Sequence, residues 1–382
     1  MKITICCKQF GPGGGAEKFL ANFARCLVED GHSVRALAAT ITGEVQGIET
    51  APLHLPPVPK ALRDLMLARA ARDALDREQA DVTFSDQKCW GADVVRPGGG
   101  VQREYVKQRI KTFRPAPYRL LKRLQYALSI REKLRIYIDD RLYAEPGPRL
   151  VIANSDMVRR NLEKHYPHLR ERITVVYNGA DPERFHPGLR EEHRKPVRDE
   201  LDIPPDALVG VFVGTGWRRK GLHTFIRALG VLSGCGVIVY AMVVGRGSER
   251  KAGAYAAAQG VADQIRFVGR TSPEPYYGAA DMLVLPTFFD PCANVTVEAL
   301  ACGLPVVTSC YNGAYELITP GREGFWVEDA ADAEGVAEAI GKLRDTELRR
   351  SASRAARALA LQHTLERQYR EIKEAIVRLA KP

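Results

Sequence analysis

Twice along the chain a short apolar stretch runs into a glycine-containing turn and then into a helix with apolar periodicity, and each time this opens a longer series of the same kind. A strand that recurs after a helical crossover can only rejoin its sheet in parallel, so such alternation commits a chain to layered α/β architecture. The first series begins with Ile3 to Cys7, turns at Gly11 to Gly15, and enters a helix from Glu17 with Phe19, Leu20, Phe23 and Leu27 on one side. Gly31 ends that helix, and Ser33 to Ala38, Ala80 to Phe84, Arg149 to Asn154 and Ile173 to Tyr177 continue the strands. The second series starts at Leu208, with strands VGVFVG, VIVYAMVVG, IRFVG, MLVLP and PVVTS and helices after Gly221, around Ala252 to Gln259 and from Thr296. A chain of 382 residues also exceeds what one hydrophobic core organises. The expectation is two Rossmann-like, doubly wound domains facing across a cleft. The first spans residues 1–183, a linker rich in charge and proline spans 184–207, and the second domain spans 208–365. Residues 366–382 read as an amphipathic helix with Tyr369, Ile372, Ile376 and Leu379 on one face, expected to cross back to the first domain.

Several classes of function lose support at this level. The longest apolar runs, such as Val237 to Val244, fall far short of the roughly 18 residues that span a bilayer, and Lys8 interrupts the opening run where a signal peptide needs apolar residues. A cytoplasmic location is expected. Eight cysteines contain no C-x-x-C pair, so neither a zinc site nor a disulfide framework is implied. Of the formal net charge of +10, residues 103–135 carry +9, eleven Lys and Arg against Glu104 and Glu132. Within them Leu120, Leu121, Leu124, Ala127 and Leu128 form a helical stripe bordered by Arg119, Lys122, Arg123 and Arg131. That pattern suits a helix lying on an anionic membrane surface, and equally a solvated basic helix. A nucleic-acid partner using the same segment would leave the second domain without a purpose.

The chemistry concentrates in Leu283 to Ser309. Asp290 and Glu298 lie eight residues apart, the first expected just beyond a strand's carboxyl end and the second in the first turn of the following helix. The helix start, with Ala293, Asn294, Val295 and Thr296, offers backbone N–H groups and a partial positive charge to a diphosphate, while the carboxylates suit sugar hydroxyls. Arg219 and Lys220 follow the first strand of the second domain, on the same sheet edge, and would supply fixed positive charge to a leaving diphosphate. No D-x-D stands at a strand end, so no metal site is expected. The turn at Gly11 to Gly15 lacks the third glycine of G-x-G-x-x-G, with Ala16 in its place, and Ala38, Ala39 and Thr40 stand where a dinucleotide fold needs an acid. An NAD-dependent oxidoreductase is therefore the weaker alternative, and Gly14 and Gly15 better suit close approach to a ligand phosphate.

Gly14-Gly15-x-Glu17, Tyr177-Asn178-Gly179-x-Asp181, Arg219-Lys220-Gly221, Ala280-Asp281-x-x-Val284-x-Pro286, the Asp290 to Glu298 pair and Ala301-x-Gly303-x-Pro305-Val306-Val307 together resemble family 4 retaining glycosyltransferases of the GT-B fold. Among these the chain looks most like the lipopolysaccharide core glucosyltransferase I group. The resemblance implies a metal-independent hexosyltransferase without a cofactor, moving glucose from UDP-glucose, or a sugar from GDP-mannose or UDP-N-acetylglucosamine, to a lipid-linked saccharide. It assigns Glu298 to the ribose, Asp290 to the transferred sugar, and Arg219 and Lys220 to the diphosphate. It makes 103–135 a membrane-contacting insertion on the inner face of the cytoplasmic membrane, touching lipid through Arg119, Lys122, Arg123, Leu120, Leu121 and Leu124. Two positions depart from the family pattern: Asp290 replaces a glutamate and Ala293 a glycine. Near Gly98-Gly99-Gly100, where related enzymes carry an Asp or His, no such residue is assigned, although Asp93 is close.

Overall fold

The computed structural model describes residues 1–11, 15–113 and 115–380, with the backbone alone for 15–18. It divides into two compact units, Met1–Val176 together with the chain from Tyr369 on, and Tyr177–Gln368.

The first unit is built on a seven-stranded sheet of β1 (Lys2–Phe10), β2 (Ser33–Ile41), β3 (Glu49–Pro52), β4 (Val82–Ser85), β5 (Val94–Val95), β6 (Leu150–Ala153) and β7 (Ile173–Val175). Their order is β3-β2-β1-β4-β5-β6-β7, and every pairing is parallel. Its first helix, Gly15–Glu29, starts two residues before Glu17, and its apolar face is fully buried at Leu20, Phe23 and Leu27. The closing helix, Leu365–Ala380, places Tyr369 against Phe19 and Phe23, with ring centroids at 5.3 and 5.8 Å, and buries Ile372 and Ile376 completely.

The basic segment folds as three helices, Gln102–Lys111, Ala116–Leu128 and Ile130–Tyr143. Its two acids point inward: Glu104 accepts from Lys164 at 2.5 Å, and Glu132 accepts from Gln102 at 2.7 Å. The middle helix buries none of its side chains, and Leu120, Leu121, Leu124 and Leu128 are 56–74% exposed. Among the described residues no helix is long and apolar enough to cross a membrane.

The second unit carries β8 (Leu208–Val213), β9 (Val239–Val244), β10 (Ile265–Gly269), β11 (Met282–Leu285), β12 (Val306–Ser309) and β13 (Gly324–Val327), in the parallel order β10-β9-β8-β11-β12-β13. Its strands are buried on both faces, as helices on each side of a parallel sheet require.

Residues 184–207, expected as a linker, hold a helix, Leu189–Glu200, within the second unit. The units divide at Val176 and Gln368 rather than at 183 and 365. Only Leu189, Val197 and Arg198 of that helix are buried, so its sequence shows no apolar period. Charge anchors it instead. Arg198, 1% exposed, donates to the Ala279 carbonyl at 3.0 Å and to Asp281 Oδ2 at 2.9 Å, while Arg190 and Arg194 reach Asp281 Oδ1 at 3.2 and 3.0 Å.

Candidate active site at the switch point of the second unit

In the second sheet the chain runs outward from β8 in one direction to β10 and from β11 in the other to β13, so the connections after β8 and β11 leave in opposite senses from adjacent strands. The crevice at that reversal is where open α/β sheets bind ligands. The loop after β8 is shaped by glycines: Gly216 at φ 72° precedes a single helical turn, Trp217–Lys220, and Gly221 at φ 84° starts the helix Leu222–Gly234. A Cβ on Gly221 would stand 1.9 Å from the carbonyl oxygen of Pro286, in the loop after β11. Close backbone approach is thus as necessary there as the left-handed conformation. The two loops are also laced together by the carbonyl of Arg219, which accepts from the Phe288 N–H at 2.8 Å and from Thr287 Oγ1 at 3.1 Å.

Asp290, Arg219 and Lys220 converge at this seam. Arg219 Nη1 donates to the Phe289 carbonyl at 2.6 Å and to Asp290 Oδ2 at 3.2 Å, and Lys220 Nζ donates to the same carboxylate oxygen. The Asp290 backbone is fixed on both sides, its N–H donating to the Tyr311 carbonyl and its own carbonyl accepting from Gly313, each at 2.8 Å. Burial alone would raise the Asp290 carboxyl above its usual range, but the charges of Lys220 and Arg219 outweigh it and hold the group below that range. The aspartate is ionised at neutral pH, and the two cations are positioned in advance of any ligand.

Glu298 lies beyond, on the helix Asn294–Ala301. It sits in the second turn rather than the expected first, because the helix begins directly after the Asp290–Ala293 loop. Its Oε2 accepts from the Tyr277 hydroxyl at 2.9 Å. Burial raises its pKa, only partly countered by that hydrogen bond and by the charges of Arg184 and Lys220. No hydrogen bond joins Glu298 to Asp290 among the described residues; Lys220 lies near enough for its charge to act on both.

The helix start is divided in its roles. The helix has no side-chain cap, and Asn294 is exposed, its side chain accepting from Asn178 at 2.6 Å. Val295 is half-buried, with its carbonyl 3.4 Å from the Tyr277 hydroxyl. Ala293 and Thr296, expected as donor contacts, are instead committed internally. Ala293 donates its N–H to Asn312 Oδ1 at 3.1 Å, and Thr296 Oγ1 accepts from Asn312 Nδ2 at 2.9 Å. Asn312, 0% exposed, is the organising residue that sequence reasoning missed. Its Tyr-Asn-Gly setting has the look of a turn, whereas its amide holds β12 to the helix through Thr308 and Thr296. Tyr277 carried no signal beyond an aromatic pair, Tyr276-Tyr277. Asn178 does belong to a noted motif, and it supports the loop by donating to the Cys292 carbonyl at 2.8 Å.

In the first unit, Gly14 lies outside the described residues and Gly15 opens the helix Gly15–Glu29. Arg119, Lys122 and Arg123 lie on the unburied helix Ala116–Leu128, Arg119 donating to the Phe113 carbonyl at 3.3 Å and Lys122 standing 5.3 Å from the Phe113 and Tyr118 ring centres.

Comparison with known proteins places this geometry. A D-inositol 3-phosphate glycosyltransferase of Streptomyces scabiei is 31% identical over 209 residues, 51% of this chain and 46% of the relative. LpsE of Rhizobium meliloti, a lipopolysaccharide core biosynthesis glycosyltransferase, is 36% identical over 148 residues, 38% of this chain and 42% of the relative. The alignments thus span about half the length of these curated relatives. The fold matches the crystal structure of WaaG, a glycosyltransferase involved in lipopolysaccharide biosynthesis, with a TM-score of 0.79 at 23% identity over 98% of this chain and 99% of that one. It also matches Anabaena HepE in complex with UDP and glucose, with a TM-score of 0.71 at 19% identity over 99% of both chains. The model named Glycosyltransferase Family 4 matches residues 13–184, and the model named Glycosyl transferases group 1 matches residues 207–346. With one of these models on each of its two Rossmann-like domains, the chain belongs to the GT-B glycosyltransferases of family 4 and group 1.

Proposed function

We propose that the protein is a retaining hexosyltransferase that moves glucose from UDP-glucose to a lipid-linked saccharide such as the lipopolysaccharide core. The observation carrying this reading is the trio of Asp290, Arg219 and Lys220 at the switch point, with Glu298 one helix segment away. In the proposed reaction the bond from sugar C1 to the diphosphate oxygen breaks and the bond from C1 to the acceptor oxygen forms on the same face. The acceptor hydroxyl's proton ends on the released nucleoside diphosphate. Negative charge grows on the leaving diphosphate, where Arg219, Lys220 and the uncapped helix start at Asn294 would stabilise it. On this reading fixed protein charge does the work that a divalent metal would otherwise do. Glu298 would accept hydrogen bonds from the two ribose hydroxyls, and Asp290 would accept from the sugar once the diphosphate relieves it of its two cations. The lipopolysaccharide relatives support the class of acceptor, and HepE, solved with UDP and glucose, supports the donor.

The helix Ala116–Leu128 adds a membrane to this proposal. Its leucines are mostly exposed, and cations border them, so we assign it to peripheral contact with an anionic leaflet.

The test of the donor assignment is calorimetry of UDP against wild type and Glu298→Ala, with transfer from UDP-glucose followed in parallel. Loss of a carboxylate that pairs two hydroxyls is expected to weaken UDP by roughly 2 to 4 kcal/mol and abolish turnover. Unchanged UDP affinity would remove Glu298 from the ribose.

A further inference from the structure

The amino-terminal edge of the second sheet, opposite the edge that carries Asp290, holds a cavity of about 420 Å³ beside the strand entries at Asp281 and Pro305. Arg190, Arg349, Arg350 and Arg354 line it, together with the hydroxyl residues Thr346 and Ser353. Among the described residues its sole lining carboxylate is Asp281, and that group is already saturated. One oxygen accepts from Arg190 and Arg194, and the other from Arg198 and the Val209 N–H at 3.0 Å. The cavity therefore carries more positive charge than its lining carboxylate balances.

Arg350 and Arg354 lie four residues apart on the helix Thr346–Ala360, both exposed at the mouth of the cavity, where like charges repel weakly, and neither has an ion-pair partner among the described residues. Arg349 is held beside them, Nη1 donating to the carbonyls of Leu343 at 2.7 Å and Arg344 at 3.1 Å. A solvated basic face would be convex and interspersed with acids. Here guanidinium forks and hydroxyls surround a concavity, the donor set that phosphate oxygens accept from.

We propose that this cavity is a second anion site, for a molecule bearing one or more phosphate groups, separate from the site around Asp290. Tyr277 backs it, and the hydroxyl of Tyr277 reaches Glu298, so an occupant lies one side chain from the proposed nucleotide contact.

The test uses the full chain at fixed ionic strength with inorganic pyrophosphate in calorimetry. Arg350→Ala/Arg354→Ala is expected to weaken a binding event by at least about tenfold, since each lost charge-assisted pairing is worth at least that factor. Arg219→Ala/Lys220→Ala should keep the same event, and Arg344→Ala, an exposed arginine outside the cavity, should bind as wild type. The cavity variant is expected to melt no lower than wild type, because it removes a repulsion and no contact. A parallel arm measures cosedimentation with phosphatidic acid vesicles. A loss in the cavity variant with dissolved pyrophosphate assigns a soluble phosphate compound, and a loss with vesicles alone assigns a lipid headgroup. If the cavity variant matches wild type with both probes, or Arg344→Ala loses as much, the site does not exist. Because no arm requires nucleotide binding, a failure of the donor assignment leaves this result readable.

Discussion

Replacing Asp290 by Asn tests whether the two cations of the site are held ready by this carboxylate. Asn keeps the size and removes the charge, leaving Arg219 and Lys220 facing each other. The side chains of Asp290, Arg219 and Lys220 are 13%, 26% and 10% exposed, so the cluster is largely dry. Breaking a buried pair on one side costs about 3 to 5 kcal/mol. The exposure of Arg219 and its surviving hydrogen bond to the Phe289 carbonyl place the value near the lower end, about 3 kcal/mol. For a unit the size of Tyr177–Gln368 each kcal/mol moves the melting temperature by about 2 to 4 °C, so the ligand-free variant should melt roughly 6 to 12 °C lower. UDP should then return more than it gives wild type, because its diphosphate replaces the missing charge between the same two cations. Differential scanning calorimetry with and without saturating UDP reads both effects, and glucose transfer should fall although UDP still binds. A variant that melts with wild type, or shows the same UDP shift, would refute the idea of cations positioned by Asp290.

Acid should weaken the second unit in a defined window. Burial opposes ionisation of Asp281, but Arg194, Arg198 and Arg190 outweigh it and hold its carboxyl below 3.8, as Lys220 and Arg219 do for Asp290. Stability from carboxyls depressed in the folded state is complete above their unfolded value and disappears as pH falls through the folded value. Urea midpoints should thus drop below about pH 4, and Asp281→Asn should start lower but lose less over that range. At the helix Ala116–Leu128, vesicles with anionic lipid should float the wild type, and changing Arg119, Lys122 and Arg123 to Ser should remove about 3 kcal/mol, roughly a hundredfold in affinity. Equal flotation on zwitterionic lipid, or by the variant, would reduce the helix to a solvated surface.

The strands that the sequence announces are those buried on both faces, where apolar runs are continuous: Leu208–Val213, Val239–Val244 and Met282–Leu285 are read to within two residues of their ends. Glu49–Pro52, Val94–Val95 and Gly324–Val327 escaped: two residues are too few for a period, and Pro52 and Gly324 interrupt the apolar pattern of the other two. The helix Leu189–Glu200 escaped for a different reason. Its attachment is an aspartate 83 residues from Arg198, and hydrophobic periodicity does not report a helix bound by charge. At the site, Asp290, Arg219 and Lys220 could be placed on one edge because each follows a strand end. That they touch one another could not be read, and it changes the expected behaviour of Asp290 variants from a pure effect on a ligand to an effect on Arg219 and Lys220 themselves. Asn312 was invisible because a fully buried side chain that bridges three segments leaves no trace in local spacing.

Gly221 makes the loops after β8 and β11 a single mechanical part. With the Pro286 carbonyl oxygen 1.9 Å from where a side chain would begin, there is no local adjustment by which another residue could enter. Any substitution must push the β8 loop off the β11 loop, and the displaced pieces are Arg219 and Lys220 on one side and the chain leading to Asp290 on the other. Sequence change around this seam is therefore open at its rim, at exposed Asn294 for instance, and closed at its root. A glycine without a side chain thus fixes the spacing between the two cations and the carboxylate.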